Sequence, residues 1–182
     1  MKWLEQMSFL GADLKRWKCA SVKDLFYMFF EQAVWATVIY RVSRMLFLID
    51  IPILKIFLRL AGFFLMKFSE YFLGAVIKPE AAIGPGLFIS HTGIIRIHPK
   101  TTAGKNLSIT VGVLLGEKGL GGKGAPIIGD NVFFGAGAKV LGTIRIGNNA
   151  KIGANAVVTR DIPDNATAVG VPARVLPNNK DK

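Results

Sequence analysis

The segment LFISHTGIIRIHP, Leu87 to Pro99, holds His91 and His98, the two histidines of a 182-residue chain. Imidazole suits proton transfer near neutral pH, because its unperturbed pKa is about 6.5. A histidine placed beside a substrate hydroxyl can take its proton as the oxygen attacks, so both residues are candidates for a general base. Other reactive groups are sparse. Cys19 is the single cysteine; it excludes an internal disulfide and a multi-cysteine metal site, and beside Lys18 it reads as an inert thiol.

The elements that must hold these histidines change character near Gly74 to Lys78. Residues 1–74 are rich in Phe, Leu and Met and contain all three tryptophans and all three tyrosines. VKDLFYMFFEQAVWATVIYRVSRMLFLI is apolar on most faces, interrupted by Lys23, Asp24, Glu31, Arg41 and Arg44, and Asp50 before Ile51 and Pro52 marks a helix restart. Two or three helices are expected over residues 1–75. No window reaches the roughly 18 uncharged apolar residues of a membrane span. In PILKIFLRLAGFFLMKF, Lys55 and Arg59 share one helical face, while Phe57, Leu58, Phe63, Phe64 and Leu65 make the rest apolar. Such a helix either lies on an anionic membrane or packs against its neighbours and another subunit.

Beyond this boundary the chain repeats in sixes. I128-GDNVF, F134-GAGAK, V140-LGTIR, I146-GNNAK, I152-GANAV and V158-TRDIP each begin with an aliphatic or aromatic residue, and glycine usually follows. The same phase appears earlier at Ile77, Ile83 and Ile89, and again at Ile97, Ala103, Ile109 and Leu115. A sustained fixed period signals a solenoid, in which each unit buries its apolar side chain by stacking on the next coil. The phase breaks twice. Eight residues separate Ile89 from Ile97, with His91 in the interval, and thirteen separate Leu115 from Ile128, with GEKGLGGKGAP between them. Insertions in a solenoid emerge as loops on one face, often the binding face. The second loop, residues 116–127, offers backbone N–H groups at Gly116, Gly121 and Gly122 and a cation at Lys123 to an oxyanion or phosphate. His98, back in phase and followed by Pro99, reads as a turn residue.

The formal charge of +11 draws the chain toward anions. Nucleic acid is disfavoured, because the repeat region has few aromatics to stack bases and its cations are scattered. The N-terminal MKWLEQMSFLGADLKRW carries acids and lacks an export-type apolar stretch, so a cytoplasmic address is expected.

Together, the hexads, the broken coil with HTG, the glycine-rich loop and the ending AVGVPARV resemble the hexapeptide-repeat acyltransferases over about residues 77 to 176. Within them the chain looks most like the serine acetyltransferase branch and its polysaccharide O-acetyltransferase relatives; VIYRVSRMLF and the helices after it look like the short N-terminal region of the latter. The resemblance implies a left-handed parallel β-helix over residues 76–176, preceded by the helical region 1–75 and followed by a polar tail, 177–182. It also implies a homotrimer with active sites between subunits, acetyl-CoA as co-substrate and no metal. His91 falls on the family's catalytic histidine. Gly135, Ala136 and Ala154 match positions lining the CoA groove, as does Lys151, which with Arg160 or Arg174 would meet the adenosine phosphates. Serine acetyltransferases also carry a carboxylate fifteen residues before the catalytic histidine and a second histidine before the loop's closing proline. Val76 and Ala125 stand there in this chain. An acceptor amino acid needs a charge partner for its ammonium, so these two residues point to a sugar hydroxyl of surface polysaccharide as acceptor, with Glu80 a substitute carboxylate if it faces inward. Serine O-acetylation and a non-catalytic scaffold are the alternatives. A zinc hydratase on the same fold needs three histidines and is excluded.

Overall fold

A hexad is just long enough for a two- or three-residue strand and the corner that follows it. In the computed structural model, which describes residues 2–17, 21–119, 121–122 and 124–176, the strands wind into a solenoid with three parallel sheets. The first sheet stacks β1 (Ala75–Ile77), β4 (Ile95–Ile97), β7 (Leu114–Gly116), β10 (Lys139–Leu141) and β13 (Val157–Val158). The second stacks β2 (Ala82–Ile83), β5 (Thr102–Ala103), β8 (Ile127–Ile128) and β11 (Arg145–Ile146). The third stacks β3 (Phe88–Ile89), β6 (Ser108–Ile109), β9 (Phe133–Phe134), β12 (Lys151–Ile152) and β14 (Thr167–Val169), and ends on β15 (Arg174–Val175), which pairs antiparallel.

The predicted period is the register of this solenoid. Ile77, Ile97, Leu115, Val140 and Val158 form one interior column, and Ile89, Ile109, Phe134, Ile152 and Ala168 another. All ten are buried. Between the second and third sheets, Asn106, Asn131, Asn149 and Asn165 turn the corner with φ of 56–59°, a left-handed conformation that asparagine tolerates better than most residues. Their side-chain amides hydrogen-bond from coil to coil at 2.9–3.0 Å. This asparagine edge is structural. The other two edges are where the phase breaks emerge.

Four helices form where two or three are expected, the additional one coming from the first residues of the chain: α1 (Lys2–Lys15), α2 (Val22–Phe30), α3 (Gln32–Leu48) and α4 (Leu54–Phe68). A π-helical turn, Ser69–Leu73, leads into β1. Helices α1 and α3 close the first coil. In β2, the groups that point away from β5 are the carbonyls of Ala81 and Ile83 and the N–H of Ile83. Tyr40 Oη donates to Ala81 O (2.8 Å) and accepts from Ile83 N (3.2 Å), and Arg41 Nη1 donates to Ile83 O (2.8 Å). Asp13 accepts from the N–H groups of Gly86 and Leu87, both at 2.7 Å, and from Arg41 Nε at 2.7 Å. Arg41 and Asp13 are each 1% exposed. Burial pushes the Asp13 carboxyl above its ordinary range, against the pull of Arg41 and the two backbone donors.

Helix α4 packs on α3 through one stripe that includes Leu58, Gly62 and Met66. Its opposite face leaves Ile56, Phe57, Leu60, Phe63, Phe64 and Phe68 exposed. Among the described residues no helix is long and apolar enough to cross a membrane.

Candidate active site

His91 lies in the corner joining the third sheet to the first. The two residues by which the Ile89 to Ile97 interval exceeds a hexad, His91 and Thr92, stand out of the coil between Ser90, which donates to Ile109 O, and Gly93, whose carbonyl accepts from Gly112 N, so His91 is exposed rather than held in a stacked corner. The corner needs its glycine: Gly93 has φ 123°, and a Cβ there would come 3.1 Å from Val111 Cγ2. Ile94 follows with φ 50° and is 77% exposed. A β-branched residue in the left-handed region is uncommon, and such outliers concentrate at functional sites. Thr92 Oγ1 meets Oε1 of Gln32, at the start of α3, at 3.0 Å. Sequence reasoning had no signal for this contact, because the pair is 60 positions apart.

The same edge collects three of the six expected cofactor positions, Gly135, Ala136 and Ala154. Hydrogen bonds from Ser90 N to Ile109 O, Thr110 N to Phe134 O, Gly135 N to Ile152 O and Gly153 N to Ala168 O stack the corners one above another. Gly93, Val111, Ala136 and Ala154 therefore occupy equivalent places in successive coils, as the bonds from Gly112 N to Gly93 O, Gly137 N to Val111 O and Asn155 N to Ala136 O repeat, and His91 stands in the insertion just before Gly93. At about 4.8 Å per coil the row is about 14 Å long. Gly135 has no room for a side chain, since a Cβ would lie 2.7 Å from Ala154 N. The result is a shallow track of small residues leading away from an imidazole.

The remaining expected residues are dispersed. Gly116 is the last residue of β7, buried, and its carbonyl accepts from Gly142 N at 2.9 Å, so it belongs to the sheet rather than to a donor loop. Gly121 is exposed and Gly122 half-buried, both on the edge between the first and second sheets, while Lys123 lies outside the described residues, as does Cys19. Arg160 is exposed on that loop edge, whereas Lys151 and Arg174 are exposed on strands of the third sheet. One copy of the chain thus does not bring these three cations together. Val76 and Ala125 are 8% and 5% exposed and apolar, so neither orients His91. Glu80 is exposed at the turn after β1, on the loop edge, and lines a cavity with Arg59 and Lys78 rather than facing His91. Among the described residues no group of three or more His, Cys, Asp or Glu could hold a metal.

Comparison with known proteins bears on this edge. The family model described as "Bacterial transferase hexapeptide (six repeats)" matches residues 125–160. A serine acetyltransferase of Neisseria gonorrhoeae, solved in complex with serine, superposes with a TM-score of 0.80 at 34% identity, covering 96% of this chain and 70% of that one. The chain belongs to the hexapeptide-repeat acyltransferases. A serine acetyltransferase from Mycobacterium tuberculosis is 45% identical over 111 residues, covering 60% of this chain and 48% of that protein. A serine acetyltransferase in complex with CoA superposes with a TM-score of 0.79 at 28% identity, covering 94% of this chain and 69% of that one. This hexapeptide-repeat acyltransferase spans about half the length of the curated relatives it matches.

These findings correct the expected acceptor. The relatives are serine acetyltransferases, not enzymes that acetylate polysaccharides. The sugar reading rested on the missing charge at Val76 and the missing histidine at Ala125. Both are indeed buried and apolar, but an absent group at one position does not define what the rest of a site binds. The coverage of 94% to 96% in the superposed structures also takes in helices of the N-terminal region, which the sequence reading had assigned to the polysaccharide type.

Proposed function

We propose that this protein transfers the acetyl group of acetyl-CoA to the hydroxyl of serine, in the cytoplasm, with His91 as general base. The observation that carries the reading is the 45% identity to a serine acetyltransferase over 111 residues, taken with an exposed histidine at the head of a small-residue track. In the proposed step His91 accepts the hydroxyl proton as the oxygen attacks the thioester carbonyl. The tetrahedral oxyanion then collapses, the C–S bond breaks, and the departing CoA thiolate takes the proton from His91. The acetyl-CoA arm runs along Gly135, Ala136 and Ala154, where small side chains allow close approach to the backbone.

The same reading includes a homotrimer. His91 and the glycine-rich loop lie on different edges of one solenoid. In a closed ring of three copies, the loop edge of one meets the histidine edge of the next, and each site draws on two subunits. Incubating the purified protein with acetyl-CoA and serine is expected to release free thiol in a serine-dependent manner. Release with other hydroxyl compounds but not serine would overturn the acceptor, and none with any acceptor would favour a scaffold.

The outer face of α4 supports a further element of this reading, peripheral contact with an anionic lipid surface. Four cations flank this face, Lys55, Arg59, Lys67 and Arg96, against the two acids Asp50 and Glu70, which pair with Lys55 and with Lys67 and Arg96. The face is left apolar and cationic, as an interfacial helix requires. Flotation with vesicles containing anionic phospholipid is expected at low salt and reduced at high salt. No flotation, with Phe57→Glu and Phe64→Glu lowering the oligomeric state instead, would make this face a contact between copies.

A further inference from the structure

His98 lies at the far end of β4 from His91, where the sequence pattern offers it only a turn. Its ring is nonetheless engaged on both nitrogens. Nδ1 accepts the backbone N–H of Lys100 at 3.2 Å, and Nε2 is 3.1 Å from Oε1 of Glu117. With Nδ1 occupied as an acceptor, the proton is on Nε2, and that nitrogen donates to the carboxylate. Only 23% of the His98 side chain and 30% of that of Glu117 are exposed.

Glu117 is the first residue beyond β7, at the root of the glycine-rich loop. The loop folds back over it: a Cβ on Gly122 would come 3.1 Å from Glu117 Cβ and 2.8 Å from Lys118 O. The stem of Lys118 in turn covers Gly142, with Lys118 Cβ 3.4 Å from where a Cβ on that glycine would stand. A continuous set of contacts therefore runs from the Lys100 backbone through His98 and Glu117 to Gly122. It ties the point where the loop leaves the solenoid to Gly122 within it.

We propose that His98 is a positioning residue, which through Glu117 holds the loop in the arch that presents its N–H donors to the histidine edge of the neighbouring copy. The inference rests on the acetyl-transfer reading for what the loop serves, but not for how it is held. His98 is thus neither a second base nor a passive turn. It acts on the loop's shape, and through it on the oxyanion.

The test follows trypsin cleavage after Lys118 in the native full-length protein. His98→Ala and Glu117→Ala are expected to raise that cleavage about tenfold, because local opening governs access to the bond. His98→Gln, which keeps an N–H donor toward Glu117, is expected to stay near the parent rate. In the thiol-release assay the alanine variants should lose about tenfold in kcat with little change in KM for serine, the pattern of a misplaced transition-state contact. Unchanged cleavage at Lys118 in His98→Ala would overturn the proposal. So would faster cleavage matched by an equal fall in melting temperature without the kcat effect, which marks a structural turn alone. Should the parent protein turn over no serine, the proteolysis arm still decides the strut, so the two readings fail separately.

Discussion

Replacing His91 with alanine is expected to lower kcat by about a hundredfold or more, since general-base catalysis contributes on the order of 10² to 10⁴. The protein should otherwise stay intact. His91 is exposed, and no other residue depends on its ring for a hydrogen bond among the described residues. Loss of turnover with an unchanged melting temperature would separate proton transfer from folding. KM for acetyl-CoA should move little, because the track of Gly135, Ala136 and Ala154 does not include the imidazole. A His91→Ala protein that retains near-parental kcat would overturn the assignment and shift attention to groups supplied by a neighbouring copy.

Replacing Arg41 with leucine is expected to destabilise the fold by about 3–5 kcal/mol, the usual cost of stranding one partner of a buried ion pair. The loss would register as a lower midpoint in urea or heat. Arg41 donates to Asp13, Ile83 O and Gly84 O, and the last of these bonds is 2.6 Å. Removing it leaves the Asp13 carboxylate without its cation and two strand carbonyls without donors. The double replacement Asp13→Leu with Arg41→Leu should recover only part of the loss, because the N–H groups of Gly86 and Leu87 would then be unpaired. Full recovery would mean that the pair contributes no specificity at the cap.

The solenoid was legible because its signal is one-dimensional. A period of six needs no knowledge of distant contacts, and every hexad leader from Ile77 to Val158 except half-buried Ala103 is buried. The two breaks in phase were legible for the same reason. What the pattern could not carry was pairing at long range. Arg41 read as one of several charges interrupting an apolar helix, yet it is among the most buried side chains of the protein. His98 read as a turn residue because Glu117, nineteen positions away, is brought beside it only by the stacking of β4 on β7. The acceptor is hard to read from sequence for a related reason: two apolar residues can remove a family's usual partners without revealing what replaces them.

The cap of Tyr40, Arg41 and Asp13 has a consequence beyond stability. A stack of coils resembles a growing polymer, in which each finished layer displays hydrogen-bonding groups that invite another layer. At β2 those groups are already engaged by Tyr40 and Arg41 of α3, Asp13 of α1 takes the N–H groups of Gly86 and Leu87 just beyond it, and at the opposite end β15 reverses direction against β14. The chain therefore carries its own terminators, and its length is finite by chemistry rather than by the mere end of the repeats. A variant with an open cap would present the first layer as a seed for end-to-end fibres.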